Sequence, residues 1–452
     1  MNEAPEGNRY LQGHYAPIST EFTETDLAVT GTIPVELDGR YLRNGPNPLL
    51  PPDPDAYHWF LGDAMVHGIR LRDGRAEWYR NRWVRSTAVS EALGEAPAPG
   101  ERHTFDNANT NVIGHAGRTL ALVEAGARPV ELTDELETVC HSDLDGTLPY
   151  GFSAHPKRDP ATGELWTVGY FWGRPNVLDV VVVGADGRVR RRLDVPVPGN
   201  PMVHDCSITE KYLVLYDLPV TFNMDMAAGG AMFPYGWDAD YGARIGLLPR
   251  EGTADQVEWF DVDPCYVFHP MNAHDDGDKV VIDLVRHDKM FATDMAGPNE
   301  GVPNLWRWTV DRSAGKVTEE QLDDLPIEFP RVDERVVGRK HRFGIANTFV
   351  DPGARDLAWD DAGMVRYDLE TGARTQVSFG AGRTAGEAIH IPHPDSSAED
   401  AGWYMALVFD RDVDRSELVI MDAAAPDAEP VARVHLPTRV PLGFHGNWVP
   451  SA

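Results

Sequence analysis

Basic residues are scarce in this sequence. Its 452 residues include 41 Lys and Arg against 71 Asp and Glu, which gives a formal net charge of −30. The longest basic run is Arg190-Arg191-Arg192. Because proteins that bind a phosphate backbone rely on clustered Lys and Arg to displace counterions, this composition excludes nucleic-acid binding.

Long apolar runs and cysteines are also few. A membrane-spanning helix needs about 20 consecutive apolar residues, whereas the longest apolar stretches here are short, such as residues 180–184. The first ten residues are polar and lack the apolar segment of a signal peptide. Cys140, Cys206 and Cys265 are too few and too scattered for a disulfide framework. We therefore predict a cytoplasmic protein, in which any membrane contact is transient, peripheral and made by an apolar loop.

Long helices have little room, because 42 Gly and 35 Pro are spread over the whole chain. Asp-Gly and Thr-Gly pairs recur beside short runs rich in β-branched and aromatic residues, a pattern typical of antiparallel hairpins. The runs predict strands at residues 165–170, 177–183, 212–216, 279–285, 305–310, 403–409 and 417–421. The best helical patterns are short, at residues 87–93 and 318–322.

These elements indicate an all-β fold. We predict a β-propeller, because radial repetition hides sheet edges within one continuous body. Seven blades would take about 65 residues each, more than the usual 40 to 50, so long loops must be inserted between strands. We predict a single domain over residues 1–452, with residues 1–35 as an N-terminal extension packed on the propeller.

Sixteen histidines offer candidate metal ligands. Four lie in short apolar or glycine-flanked contexts, namely A-H-P at His155, M-V-H-D at His204, F-H-P at His269 and F-H-G at His445. Four imidazoles would favour a transition metal, although a lone histidine in a β-protein is more often structural. Pairing of His204 with Cys206, or of Cys265 with His269, would give only half of a zinc site. No H-E-x-x-H, C-x-x-C or G-x-S-x-G motif is present.

The N-terminal motifs R-N-G-P-N-P at residues 43–48 and H-W-F-L-G-D-A-M-V-H-G at residues 58–68 resemble the opening signature of the carotenoid cleavage oxygenase family. This family includes carotenoid, apocarotenoid and lignostilbene dioxygenases and a retinoid isomerase. The four histidine contexts resemble its four metal-binding motifs in order. The resemblance extends from about residue 40 to residue 446 and so covers almost the whole chain.

The resemblance implies a seven-bladed propeller whose inserted loops cap one Fe(II) on the axis, held by His155, His204, His269 and His445. It also implies glutamates that orient three of these ligands. By motif these are Glu124 for His204, Glu328 for His269 and Glu387 for His445. Thr110 in A-N-T-N resembles the family residue whose methyl group crowds one open iron position.

The activity implied by the resemblance is cleavage of one C=C bond of a carotenoid or apocarotenoid by O₂, giving aldehyde or ketone products. The electrons would come from the alkene, so no external reductant is needed. The substrate would be a small, apolar, conjugated molecule, and no obligate protein partner is indicated. The segment after the second ligand resembles the family's substrate entrance and offers Phe222, Met224, Met226, Phe233 and Trp237 as substrate contacts.

Two alternatives remain at this stage. The same chemistry could act on stilbenes or phenylpropenes, although Val123 stands where stilbene-cleaving members of the family have a lysine that binds the substrate phenol. Alternatively, the chain could be a catalytically inactive propeller that binds carotenoids.

Overall fold

The computed structural model describes residues 7–102, 105–298, 300–348 and 362–451. Within these ranges the chain consists almost wholly of short antiparallel strands. They form seven blade-like sheets of four to six strands and one additional two-stranded hairpin. The prediction of an all-β, seven-bladed propeller is confirmed.

We number the blades in chain order. Blade 1 contains Thr23–Glu24, Gly39–Pro46, Ala64–Arg72, Arg75–Trp83 and Gly446–Pro450. Blade 2 contains Asn111–His115, Arg118–Leu122, Val130–Leu132 and Thr138–His141. Blade 3 contains Lys157–Arg158, Leu165–Gly169, Val177–Val183 and Val189–Pro196. Blade 4 contains Ser207–Ile208, Tyr212–Asp217, Arg244–Pro249 and Glu258–Asp261.

The remaining blades follow the same antiparallel pattern. Blade 5 contains Pro270–Asp276, Lys279–Arg286, Asn304–Asp311 and Lys316–Gln321. Blade 6 contains Ile327–Arg331, Phe343–Thr348, Met364–Asp368 and Ala373–Val377. Blade 7 contains Val29–Gly31, Arg383–Ala385, Ile389–Pro392, Gly402–Asp410, Arg415–Asp422 and Ala432–His435.

The two ends of the chain close the ring. The C-terminal strand Gly446–Pro450 pairs with Gly39–Pro46 in blade 1. The N-terminal segment adds Thr23–Glu24 to the other edge of blade 1 and Val29–Gly31 to an edge of blade 7. Because an unpaired strand edge is a site of unwanted association, these pairings protect both blades where the chain begins and ends.

Helices are few and short. The α-helices are Thr87–Leu93 and Met224–Ala228, and the 3₁₀ turns are Arg9–Leu11, Gly13–Tyr15, Trp59–Leu61, Ala254–Gln256 and Glu334–Val336. Helix Thr87–Leu93 begins where Ser86 Oγ accepts a hydrogen bond from Val89 N–H, and it ends at Gly94, whose φ of 70° suits glycine. No helix in the described ranges is both long and apolar enough to cross a membrane.

The predicted strands all occur, with ends displaced by at most two residues. Of the two predicted helices, residues 87–93 are helical, but the prediction for residues 318–322 is wrong. Most of that segment belongs to the strand Lys316–Gln321, which pairs along its length with Asn304–Asp311. The hairpin turn at Gly315, with φ of 64°, aligns the two segments, so cross-strand pairing overrides the local helical pattern.

Apolar side chains fill the spaces between neighbouring blades. One cluster joins Val180 of blade 3, Leu213 of blade 4 and Ile282 of blade 5, all at most 1% exposed. The additional hairpin, Val220–Phe222 with Tyr235–Trp237, is inserted between two strands of blade 4 and carries helix Met224–Ala228 at its tip. This hairpin and helix form the cap that the inserted loops were predicted to provide.

Candidate metal centre

Every blade contributes a residue to the centre of the ring. The contributors from blades 1 to 7 are His445, Thr110, His155, His204, His269, Glu328 and Glu387. Each lies in, or within a few residues of, a strand at one edge of its sheet. Because these edge strands line the axis of a propeller, residues that are far apart in sequence meet there.

The four predicted histidine ligands form one buried cluster. One imidazole nitrogen from each residue lies within 4.8 Å of the other three. Nε2 of His204 is 3.2 Å from Nε2 of His269, and the ring centroids of His155 and His445 are 4.4 Å apart. All four residues are at most 8% exposed.

The three predicted glutamates each face one of these histidines. Nδ1 of His204 is 2.8 Å from Glu124, Nδ1 of His269 is 2.5 Å from Glu328, and Nδ1 of His445 is 3.0 Å from Glu387. Engagement of Nδ1 by a carboxylate fixes the ring orientation and leaves Nε2 as the inward-facing ligand atom. The structure thus brings together all seven residues that the motifs had singled out for the metal site.

Local backbone geometry aims Glu328 and Glu387 at the axis. The pairing register of Ile327–Arg331 shifts between Glu328 and Arg331, and Phe329 adopts φ of 54°, which is uncommon for a residue with a side chain. Phe329 N–H donates to Glu328 Oε2 over 2.6 Å, and Gly446 N–H donates to Glu387 Oε2 over 2.8 Å. Both carboxylates are therefore held by the main chain as well as by histidine.

Two supporting residues were not anticipated from the sequence. Nε2 of His287 is 2.9 Å from Glu328 Oε1, and Arg331 Nη1 is 3.3 Å from Glu387 Oε1. His287 follows a buried strand and belongs to no metal-binding motif. The E-F-P-R sequence does place Arg331 close to Glu328, but its buried carboxylate partner, Glu387, belongs to the next blade.

His155 is the one ligand without a glutamate. Its Nδ1 lies 3.8 Å from Asp205 Oδ2. That oxygen accepts a hydrogen bond from Lys157 Nζ over 2.8 Å, while Asp205 Oδ1 accepts one from Cys206 N–H over 2.6 Å. The Cys206 thiol is buried and faces backbone oxygens of His155 and Trp166, so Cys206 takes a packing position behind the ligand.

Burial and nearby carboxylates compete to set the charge of the clustered histidines. Burial lowers the pKa of His155 well below its ordinary value, and the neighbouring histidines add to this effect. Burial also outweighs the attraction of Glu387 and holds the pKa of His445 at about 3. In contrast, Glu387 keeps a pKa of about 2, because His445 and Arg331 overcome its own burial. At neutral pH His155 and His445 are therefore neutral and Glu387 is ionised. The pKa of His204 is instead raised, because the charges of Glu124 and Asp205 outweigh its burial.

This donor set fits a metal ion. His155 Nε2 is buried and has no hydrogen-bond partner among the described residues, although an unmet buried nitrogen is costly. Bound metal would satisfy it together with Nε2 of the other three histidines. Four imidazole nitrogens suit a transition metal rather than Mg²⁺ or Ca²⁺, which prefer oxygen ligands.

Thr110 borders the same centre. It is 7% exposed and contributes to the cavity that reaches the histidines. Its carbonyl oxygen accepts a hydrogen bond from His445 N–H over 3.1 Å, and its hydroxyl donates to Asn109 Oδ1 over 3.2 Å. Because the hydroxyl is engaged with Asn109, Thr110 is held by both main chain and side chain beside the ligand cluster.

An apolar cavity of about 430 Å³ leads to the cluster. Three of the ligands, His204, His269 and His445, form its inner end. The walls are mainly aromatic and aliphatic and include Phe60, Val123, Tyr170, Phe268, Phe329 and Phe444. A cavity with such walls is suited to an apolar ligand.

The cap supplies part of this wall. Of the five predicted substrate contacts, Phe222, Met224 and Phe233 line the cavity. The described cavity wall does not include Met226 or Trp237. The sulfur of Met226 packs near Gly236, and Trp237 continues the hairpin pairing with Val220. Met226 lies two positions after Met224 on the helix Met224–Ala228 and so points to a different side, while Trp237 lies at the end of the hairpin away from its tip.

The architecture and the site together define a class: a β-propeller metalloprotein with an all-histidine centre on its axis. Its family follows from comparison with known proteins. The family model described as retinal pigment epithelial membrane protein (RPE65) matches residues 15–450. A carotenoid cleavage oxygenase of Mycobacterium tuberculosis is 46% identical, and the alignment covers 98% of each chain. The chain therefore belongs to the carotenoid cleavage oxygenase family.

Solved structures agree in fold over the whole chain. The lignostilbene dioxygenase of Pseudomonas brassicacearum matches with a TM-score of 0.89 at 28% identity, covering 99% of this chain and all of that one. The cobalt-substituted apocarotenoid oxygenase of Synechocystis matches with a TM-score of 0.87 at 29% identity, covering 96% of this chain and 97% of that one.

Proposed function

We propose that this protein is a non-heme Fe(II) dioxygenase that cleaves one C=C bond of a carotenoid or apocarotenoid with O₂. The observation that carries the proposal is the junction between four converging histidines and an apolar cavity of about 430 Å³. The similarity to a carotenoid cleavage oxygenase and to an apocarotenoid oxygenase supports the same substrate class.

His155, His204, His269 and His445 would hold the iron. When bound, Fe(II) supplies the redox chemistry by which O₂ reacts with the alkene. In the overall reaction the C=C bond is broken and each of its carbons gains one oxygen atom. Both atoms of O₂ thus enter the two carbonyl products, and no external reductant is required.

The protein's own residues position the substrate and keep water away. Phe60, Phe268 and Phe444 pack edge to face around the inner end of the cavity. Their rings would hold a flat conjugated chain beside the ligands through apolar contact. Thr110, fixed by its bonds to Asn109 and His445, would narrow the space beside the cluster and limit the directions from which the alkene approaches.

An aryl-alkene is the second candidate substrate. The similarity to a lignostilbene dioxygenase favours it, as does the Tyr235 hydroxyl. That hydroxyl is buried beside the cavity and has no hydrogen-bond partner in the described parts of the chain. Val123 has no polar group with which to bind a phenol, whereas the Tyr235 hydroxyl could form a hydrogen bond with one. Tyr235→Phe should then raise KM for a hydroxystilbene about tenfold, and an unchanged KM would favour the polyene.

The cap also suggests how an apolar substrate is acquired. Met224 and Met232 line the cavity and are 69% and 74% exposed. We propose that they make transient peripheral contact with a membrane or micelle that carries the substrate. The three cysteines, all unpaired, are consistent with a reducing cytoplasm.

Metal analysis and oxygen uptake test the proposal. Purified protein reconstituted with Fe(II) should bind about one iron per chain and consume O₂ with an apocarotenal. His204→Ala should lose both properties, whereas His435→Ala should keep them, because His435 lies in an outer strand of blade 7 far along the sheet from the axis. Iron-loaded protein that consumes no O₂ with any conjugated alkene would contradict the proposal.

A further inference from the structure

A second cavity, of about 160 Å³, reaches the same histidines. It touches His155, His269 and His445, whereas the substrate cavity touches His204, His269 and His445. Its other lining residues lie further along the axial strands, such as Ile208 in blade 4 and Asn447 in blade 1. The ligands precede these strands, so this cavity extends along the axis away from the cap. We call it the axial channel.

The walls of the axial channel are polar, unlike those of the substrate cavity. Asn111, Asn272 and Asn447 supply amide groups from three blades. Two ion-paired sets add charge. Lys157 binds Asp205 over 2.8 Å. Arg331 contacts Glu387 over 3.3 Å and Glu334 over 3.1 Å.

Glu334 marks the outer end of the channel. It lines the channel, and its side chain is 50% exposed, whereas the side chain of Glu387 at the inner end is 1% exposed. Arg331 lies between these two carboxylates. A polar path therefore leads from solvent at Glu334, past Arg331, to the ligand His445.

The two cavities differ in what they can conduct. A hydrated divalent cation that enters an apolar passage loses water molecules and gains no polar group in return, at a large cost in free energy. A polar passage avoids this cost, because its side chains hold or replace those water molecules. The aromatic wall of the substrate cavity offers few such groups, and a bound polyene would also obstruct it. The axial channel offers carboxylates and amides from its outer end to the ligands. Its three cations are engaged: Lys157 and Arg331 pair with carboxylates, and Arg158 donates to the Gly114 carbonyl.

We propose that the metal ion reaches and leaves the four histidines through the axial channel rather than through the substrate cavity. This inference rests on the proposed metal centre. Metal exchange is then independent of the substrate cavity and its cap, and Glu334 is the first carboxylate that an incoming cation meets.

Uptake of Co(II) by metal-free full-length protein tests the route, because bound Co(II) is followed by its absorbance without any turnover. Glu334→Gln and Met232→Lys each make the net charge more positive by one, at the outer end of the axial channel and at the mouth of the substrate cavity, respectively. We expect Glu334→Gln to slow uptake about threefold at low salt, and Glu334→Lys about tenfold. Met232→Lys should bind Co(II) at the wild-type rate.

The inference would be overturned if Met232→Lys slowed Co(II) uptake while Glu334→Lys took up Co(II) at the wild-type rate. It would also be overturned if the two variants slowed uptake equally. The total Co(II) bound after long incubation shows whether a variant has lost the binding site or has only a slower route to it. A wild-type protein that binds no Co(II) would contradict the metal centre of the proposed function. If all variants finally bind as much Co(II) as wild type but their rates do not follow the expected order, only the route is contradicted.

Discussion

Glu328 lies between two imidazoles, and the second of them belongs to His287. Glu328 Oε1 is 2.9 Å from His287 Nε2, while Oε2 is 2.5 Å from Nδ1 of the ligand His269. His287 is held in turn by two backbone hydrogen bonds with Tyr266, each 2.8 Å long. His287 thus sets the orientation of Glu328 and, through it, that of a metal ligand.

Removal of the His287 imidazole should weaken metal binding. We expect His287→Phe to lower Co(II) affinity about tenfold, because Glu328 loses one of its two imidazole partners. His287→Gln keeps an N–H donor and should retain most of the affinity. Titration of the metal-free protein measures both. His58→Phe is the control, since His58 is also buried but contacts no ligand glutamate; an equal loss in His58→Phe would contradict the role of His287.

Glu387 should matter for stability as well as for metal binding. Its second partner is the cation Arg331, whose side chain is 18% exposed. Glu387→Gln leaves that cation without its buried carboxylate and should lower the free energy of unfolding by about 3 kcal/mol. Glu334→Gln, which removes the half-exposed carboxylate from the same cation, should cost about 1 kcal/mol or less. Urea denaturation of the metal-free proteins measures both, and equal losses would contradict this distinction.

Acidification should lower the stability of the metal-free protein at pH values well above those at which carboxylates titrate. Burial holds the pKa values of His14, His58, His67 and His445 at about 3. In the unfolded chain these groups titrate near 6.5, so between pH 6.5 and pH 3 the unfolded state binds more protons. Stability is therefore fully present above pH 6.5 and decreases as the pH falls, by about 1.4 kcal/mol per pH unit for each imidazole.

Urea denaturation at pH 7 and pH 5 measures this loss. His58→Phe removes one of the four imidazoles and should reduce the difference between the two pH values by about 2 kcal/mol. A free energy of unfolding that is the same at both pH values would show that these histidines are protonated in the folded protein.

Vesicle binding should depend on the cap. Replacement of Met224 and Met232 by serine should weaken co-sedimentation with neutral phospholipid vesicles, because both exposed side chains surround the cavity. Val413→Ser is the control: Val413 is 61% exposed but lies in a turn between strands of blade 7. Equal binding by the Met224, Met232 double variant and by wild type would exclude the cap as the docking surface.

Much of this structure could be predicted from local sequence. Short β-rich runs between glycine turns gave the strands within two residues, because each hairpin is a local structure. The motifs around His155, His204, His269 and His445 identified the four histidines that meet on the axis, because each sits beside an axial strand with a distinctive neighbourhood. The strand Lys316–Gln321 was mistaken for a helix, since its pairing partner, not its own pattern, determines its conformation.

The contacts that cross blades could not be predicted in this way. His287 meets Glu328, and Arg331 meets Glu387, only after separate sheets pack around the axis. The same limit applies to Met226 and Trp237, since their distance from the cavity depends on how the hairpin and its helix pack over the axis. The axial channel likewise is formed by single residues from several strands, none of which is distinctive by itself.

The mass balance of the reaction tests the central claim most directly. Iron-loaded protein incubated with an apocarotenal and ¹⁸O₂ should yield two carbonyl fragments by mass spectrometry. Together they should contain all the carbons of the substrate and one labelled oxygen each at the cleaved bond, and His204→Ala should yield neither fragment. Protein that binds a full complement of iron and leaves every conjugated alkene intact would contradict the account.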